Sequence, residues 1–68
     1  MTNNVKQLRE QHGLTQEQLA TRVGASRQSI ISIEKGHYIP TTVMALKLAS
    51  ALTSSVEALF VLEKGDWG

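Results

Sequence analysis

The sequence predicts an all-α fold of five short helices, and three observations carry that prediction. Each expected helix is preceded by a residue able to cap it: Thr2 or Asn3, then Thr15, Ser26, Thr41 and Ser55. These side-chain oxygens accept bonds from the backbone N–H groups that a first helical turn leaves without partners. Behind each cap, apolar residues recur at helical spacing, the pattern of a segment that buries one face. Finally, the second and third segments are separated only by Gly24-Ala25. A break that short makes two helices cross steeply instead of lying antiparallel. The chain of 68 residues reads as one domain (1–68), with a core over 4–60 and a tail over 63–68. That is near the lower size for folding without disulfides or metal.

Helix 1 is expected from about Asn4 to His12, closed by Gly13. Val5, Leu8, Arg9 and His12 share one face, so a charge sits among apolar neighbours. Helix 2 covers Gln16 to Arg22 or Val23. Thr15 and Gln18 form a capping box, and Leu14 and Leu19 supply the matching hydrophobic staple. Gly24 can take positive φ at the turn without a side-chain clash. Helix 3 runs from Arg27 to Lys35 and stops at Gly36. On a helical wheel Arg27, Gln28, Ile31, Ser32 and Lys35 fill one outward arc of about 140°. Ser29, Ile30, Ile33 and Glu34 occupy the rest. Pro40 keeps Ile39 out of helical geometry. Helix 4 follows over Thr42–Leu52, and Met44, Ala45, Leu48, Ala49, Ala51 and Leu52 give it the broad apolar surface of a central helix. Val43 and Leu46 lie off that surface. Helix 5 covers Val56–Phe60.

Helices 2 and 3, with the small Ala20 where they meet, make a helix-turn-helix over 15–35, whose second helix enters the DNA major groove. Counted from Gln16, the residues Leu19, Ala20, Val23, Gly24, Ile30 and Ile33 fall at the packing positions of a known motif. Through them residues 5–60 resemble the phage repressor/Cro-like (xenobiotic-response-element type) family of helix-turn-helix regulators. The resemblance implies a compact repressor-like DNA-binding domain. It implies that Arg9 pairs with Glu34 as a brace between helices 1 and 3; the alternative is two solvated charges. It also implies that Gln16 meets a phosphate and can support the first base-contacting residue, and that the loop carrying His37 and Tyr38 lies against the DNA backbone. One departure stands out. Thr53-Ser54 occupies the place of a common Gly-Val, and a threonine in a left-handed helix end costs about 1 kcal/mol unless the chain turns differently.

The outward face of helix 3 carries the chemistry for reading bases. Arg27 suits guanine O6 and N7, and Gln28 suits adenine N6 and N7. Arg27 also suits a phosphate, which leaves Gln28 as the stronger specificity residue. Ser32 reaches a base or a water. Ile31 fits a thymine methyl, its other reading being a bare surface isoleucine. Ser26 either caps helix 3 alone or also bonds a phosphate. Lys35, His37 and Tyr38 are backbone candidates at the rim, whereas Lys6 and Arg22 read as solvated.

Charge and composition narrow the function further. The net charge is +1, but it is uneven: residues 1–36 hold five Lys/Arg against three Glu, and residues 37–68 hold two Lys against three acids. The basic excess lies with the motif, as a DNA-facing half needs. There is no cysteine, and the two histidines have no matching triad, paired carboxylates or ligand set, so an enzyme, a metal site and a cofactor are not expected. No Gly-rich phosphate loop, signal peptide or membrane-length apolar run is present, and a cytoplasmic protein is the expectation. With no second domain expected, regulation would act through protein level, a partner or oligomerisation.

Leu59-Phe60-Val61-Leu62 is a dense apolar stretch near the end of the chain. It either completes the core or forms a two-fold interface of Val56, Leu59, Phe60, Val61 and Leu62, paired as helices or as a short strand. Residues 65–68 read as a loose end. The expected function is a homodimeric, sequence-specific repressor on double-stranded DNA that reads a palindromic operator. The alternative is a protein-interaction module, an antitoxin-like partner of an unknown protein.

Overall fold

Capping chemistry sets the helix boundaries in the computed structural model, which describes residues 1–68. The helices are α1 (Val5–Gln11), α2 (Gln16–Val23), α3 (Arg27–Glu34), α4 (Thr42–Ala51) and α5 (Val56–Leu59). The Thr15, Ser26, Thr41 and Ser55 hydroxyls accept the backbone N–H groups of Gln18, Ser29, Met44 and Ala58 at 3.0, 3.1, 3.2 and 3.1 Å. Gln18 Oε1 accepts the Thr15 N–H in return at 2.9 Å, which completes the capping box. Helix α1 differs. Its N-cap Asn4 makes no side-chain cap, and Asn3 Oδ1 instead accepts the Val5 N–H at 3.2 Å.

The helix ends explain the turns. At the close of α2, Gly24 has φ 69°, the Ala25 N–H reaches the Ala20 carbonyl at 2.9 Å and the Gly24 N–H reaches Thr21 at 3.3 Å. That pair of bonds is the Schellman end of a helix. Helix α4 ends in the same way without a glycine: the Ser54 N–H meets the Ala49 carbonyl at 2.8 Å and the Thr53 N–H meets Ser50 at 3.2 Å. Thr53 is held at φ 51°. The chain keeps the left-handed turn and carries the threonine's strain.

The core is built from Val5, Leu19, Ala20, Val23, Ile30, Ile33, Leu48, Ala49, Leu52 and Leu59. Helix α4 lies at its centre, packing on α2 and α5, while α2 and α3 pack on each other. Leu59 is 0% exposed. That corrects its expected place in a dimer contact, because a side chain with no accessible surface has nothing to offer a second copy. On α1, Val5 and Arg9 are buried and Leu8 partly so, but His12 is exposed, with Nδ1 2.9 Å from the Leu8 carbonyl.

Two further elements join the ends of the chain. Strands β1 (Thr2–Asn3) and β2 (Phe60–Val61) pair antiparallel, Thr2 opposite Val61 and Asn3 opposite Phe60. The expected helix at Phe60 therefore gives way to a strand, and the sheet is a minor addition to a helical fold. The tail is tied down as well. It forms a 3-10 turn over Lys64–Trp67, held by the Met1 amino group, 2.8 Å from Glu63 Oε1 and 2.9 Å from Asp66 Oδ2. The bonds to Glu63 and then Asp66 raise that amino group above its ordinary 8.0. The Asp66 carboxyl falls below 3.8 because its oxygen accepts the Glu63 N–H, at 2.7 Å, and faces the amino group.

Candidate nucleic-acid interface

The outward face of α3 is held in place by a buried charge. Arg9 is only 8% exposed, and a charge so far from water needs partners for its donors. Its Nε donates to Glu34 Oε2 at 2.6 Å, Nη2 to Glu34 Oε1 at 3.4 Å and Nη1 to the Leu14 carbonyl at 2.7 Å. Glu34 Oε1 also accepts Gln16 Nε2 at 3.1 Å. A carboxylate can only accept, so every bond of this cluster has its donor on the other side. The result joins α1, the first residue of α2 and the last residue of α3. No buried side-chain nitrogen or oxygen is left unpartnered. The Gln16 amide nitrogen, at the start of α2, is thus directed at Glu34.

Outside this brace, α3 divides by its wheel. Ile30 and Ile33 are fully buried. Arg27, Gln28 and Lys35 are exposed, and Ile31 and Ser32 are half-buried. The loop after α3 folds back on it: the His37 and Tyr38 N–H groups both reach the Ser32 carbonyl, at 2.9 and 3.3 Å. Tyr38 therefore comes beside Gln28 and Ser32, where with Ser26 and Ser29 they line a recess of about 220 Å³. Ser29, assigned by the wheel to the inner side, lies on this recess with its hydroxyl 2.9 Å from that of Ser26. The capping serine three residues earlier was the sequence signal for that juxtaposition. Arg9 is the only arginine or lysine whose side chain meets a carboxylate. Arg27 and Lys35 are exposed and form no ion pair. The face presents bidentate donors and acceptors, hydroxyls and one apolar side chain, the groups that meet base edges and phosphates.

A second surface is apolar. Ile39, Pro40, Ala45, Leu46, Val56 and Phe60 line a groove of about 350 Å³. Of its lining, Ile39 and Leu46 are exposed, and Val43, Val61 and Leu62 are exposed as well. No helix is long and apolar enough to cross a membrane.

Comparison with known proteins agrees with this geometry. A family model described as helix-turn-helix matches residues 5–59. An uncharacterized HTH-type transcriptional regulator of Bacillus subtilis is 44% identical over 64 residues, 94% of this chain and 97% of that protein. Another, from Methanocaldococcus jannaschii, is 46% identical over 66 residues, 97% of this chain and 100% of its own. Among solved structures, the restriction-modification controller protein C.AhdI of Aeromonas hydrophila superposes with a TM-score of 0.76 at 38% identity, covering 82% of this chain and 85% of that one. A chain of the SinR/SinI complex superposes with a TM-score of 0.77 at 26% identity, covering 93% and 66%.

Proposed function

Because the chain belongs to the helix-turn-helix family of DNA-binding transcriptional regulators, which are not enzymes, we propose that it is a homodimeric repressor reading a palindromic operator in the cytoplasm. The observation that carries this reading is the exposure of Arg27 and Gln28 at the start of a second helix whose other end is gripped by Arg9 and Gln16. In this motif those first residues lie nearest the base edges. Arg27, Gln28, Ile31 and Ser32 meet bases, and Gln16, Ser26, Lys35, His37 and Tyr38 meet the backbone. Val56, Phe60, Val61 and Leu62 form the two-fold contact, Leu59 supporting them from the core. Bound near a promoter, such a dimer excludes polymerase.

The exposed apolar groove also suits a protein partner, and one structural neighbour is named as a SinR/SinI protein complex. That second reading places function at Leu46 and the 56–62 surface. Selection of the purified protein against random duplex DNA at near-physiological salt separates the two. The proposed reading expects an enriched inverted repeat with half-sites about one helical turn apart. Recovery of no sequence above background contradicts it.

A further inference from the structure

Two side-chain anchors hold the last turn of α3. One is the Glu34 carboxylate, gripped by α1 and α2. The other comes from the N-terminal strand: Asn3 Nδ2 donates to the Ile33 carbonyl at 2.8 Å, across 30 residues of sequence. Ile33 belongs to the group of terminal carbonyls that a helix leaves without i+4 partners. Its oxygen takes the Gly36 N–H at 3.0 Å as well, so Asn3 fills the remaining acceptor site. The asparagine uses both ends of its amide, since Oδ1 accepts the Val5 N–H at 3.2 Å. Its backbone is in turn fixed opposite Phe60 in the two-stranded ribbon. Ribbon, α1 and reading helix thus meet at one side chain.

We propose that Asn3 is a positioning residue for DNA reading, setting the angle of α3 by holding its Ile33 carbonyl against the β1–β2 ribbon; this rests on the DNA reading above. At 1.5 Å per residue, α3 is about 12 Å long. A small displacement of its last turn therefore swings Arg27 and Gln28 at the other end. Bidentate base contacts depend on that geometry, whereas attraction to phosphates does not.

The test is Asn3→Ser, which keeps an oxygen able to accept the Val5 N–H but is too short to reach Ile33. Binding is measured on an operator enriched by selection and on a shuffled duplex, with circular dichroism at the same temperature showing that the variant is folded. Affinity for the operator falls about tenfold, the scale of one misread base pair, and affinity for the shuffled duplex is unchanged. In a Gln28→Ala background the same substitution costs less than in the wild type, because one of the contacts it positions is already gone. An equal loss on both duplexes, a loss that simply adds to that of Gln28→Ala, or no loss at all overturns the proposal. A wild-type protein with no preference between the two duplexes overturns the DNA reading itself.

Discussion

Thr53 sits at φ 51°, where a β-branched side chain crowds the following carbonyl at a cost of about 1–2 kcal/mol. Two backbone bonds, from Thr53 to Ser50 and from Ser54 to Ala49, hold it there. They satisfy carbonyls at the end of α4 that no other group reaches. Thr53→Gly removes the crowding and keeps both bonds. It is expected to stabilise the protein by about 1 kcal/mol, a rise of about 4–8 °C in Tm for a domain of this size, read by thermal unfolding. An unchanged or lower Tm means that the turn is not strained by the side chain. The sequence marked this position as unusual, but local residues left open whether the chain would turn differently. The bonds at the end of α4 decided that.

Between elements, the Arg9–Glu34–Gln16 cluster is the chief polar tie. Both ionic side chains are at most 10% exposed, so removing one leaves the other charged and without its partner. Arg9→Ala is expected to cost about 3–5 kcal/mol, and the double replacement Arg9→Met with Glu34→Leu to restore most of it. Urea unfolding of the single and double variants checks this. A loss below about 1 kcal/mol for Arg9→Ala would match a solvated surface pair instead. The elements differ in how far their own residues announced them. Thr15 with Gln18, Ser26, Thr41 and Ser55 are local signals, and the helices start where those caps lie. The pairing of Thr2–Asn3 with Phe60–Val61 had no such signal. It is two residues long on each side and joins opposite ends of the chain, so only tertiary packing creates it. The same packing draws Leu59 into the core and brings the Met1 amino group to Glu63 and Asp66.

Across the whole molecule, the burial pattern divides labour between two faces. Ten apolar side chains, nine from the five helices and Leu52 just past the end of α4, fill one core, and α3 is clamped to it by Ile30, Ile33 and the Glu34 cluster. The apolar groove beside Leu46 and Phe60 and the recess beside Gln28 and Tyr38 share no lining residue. The proposed reading seats the second copy on the groove and leaves α3 of each copy to the DNA. On the outward face of α3, Arg27, Gln28, Ile31, Ser32 and Lys35 were legible from the wheel. The place of Ser29 on the recess and the Asn3 bond to the Ile33 carbonyl were not, because they depend on a neighbouring cap and on a strand that the sequence does not declare.

The measurement that bears most directly on this account is the affinity ratio of Gln28→Ala between an enriched operator and a shuffled duplex, at one salt concentration. If α3 reads bases while the rest of the face holds phosphates, the variant loses about 1–3 kcal/mol on the operator, and its binding to the shuffled duplex stays at the wild-type level. A wild-type ratio in the variant would contradict the account, and would place sequence reading, or the protein's function, on another surface.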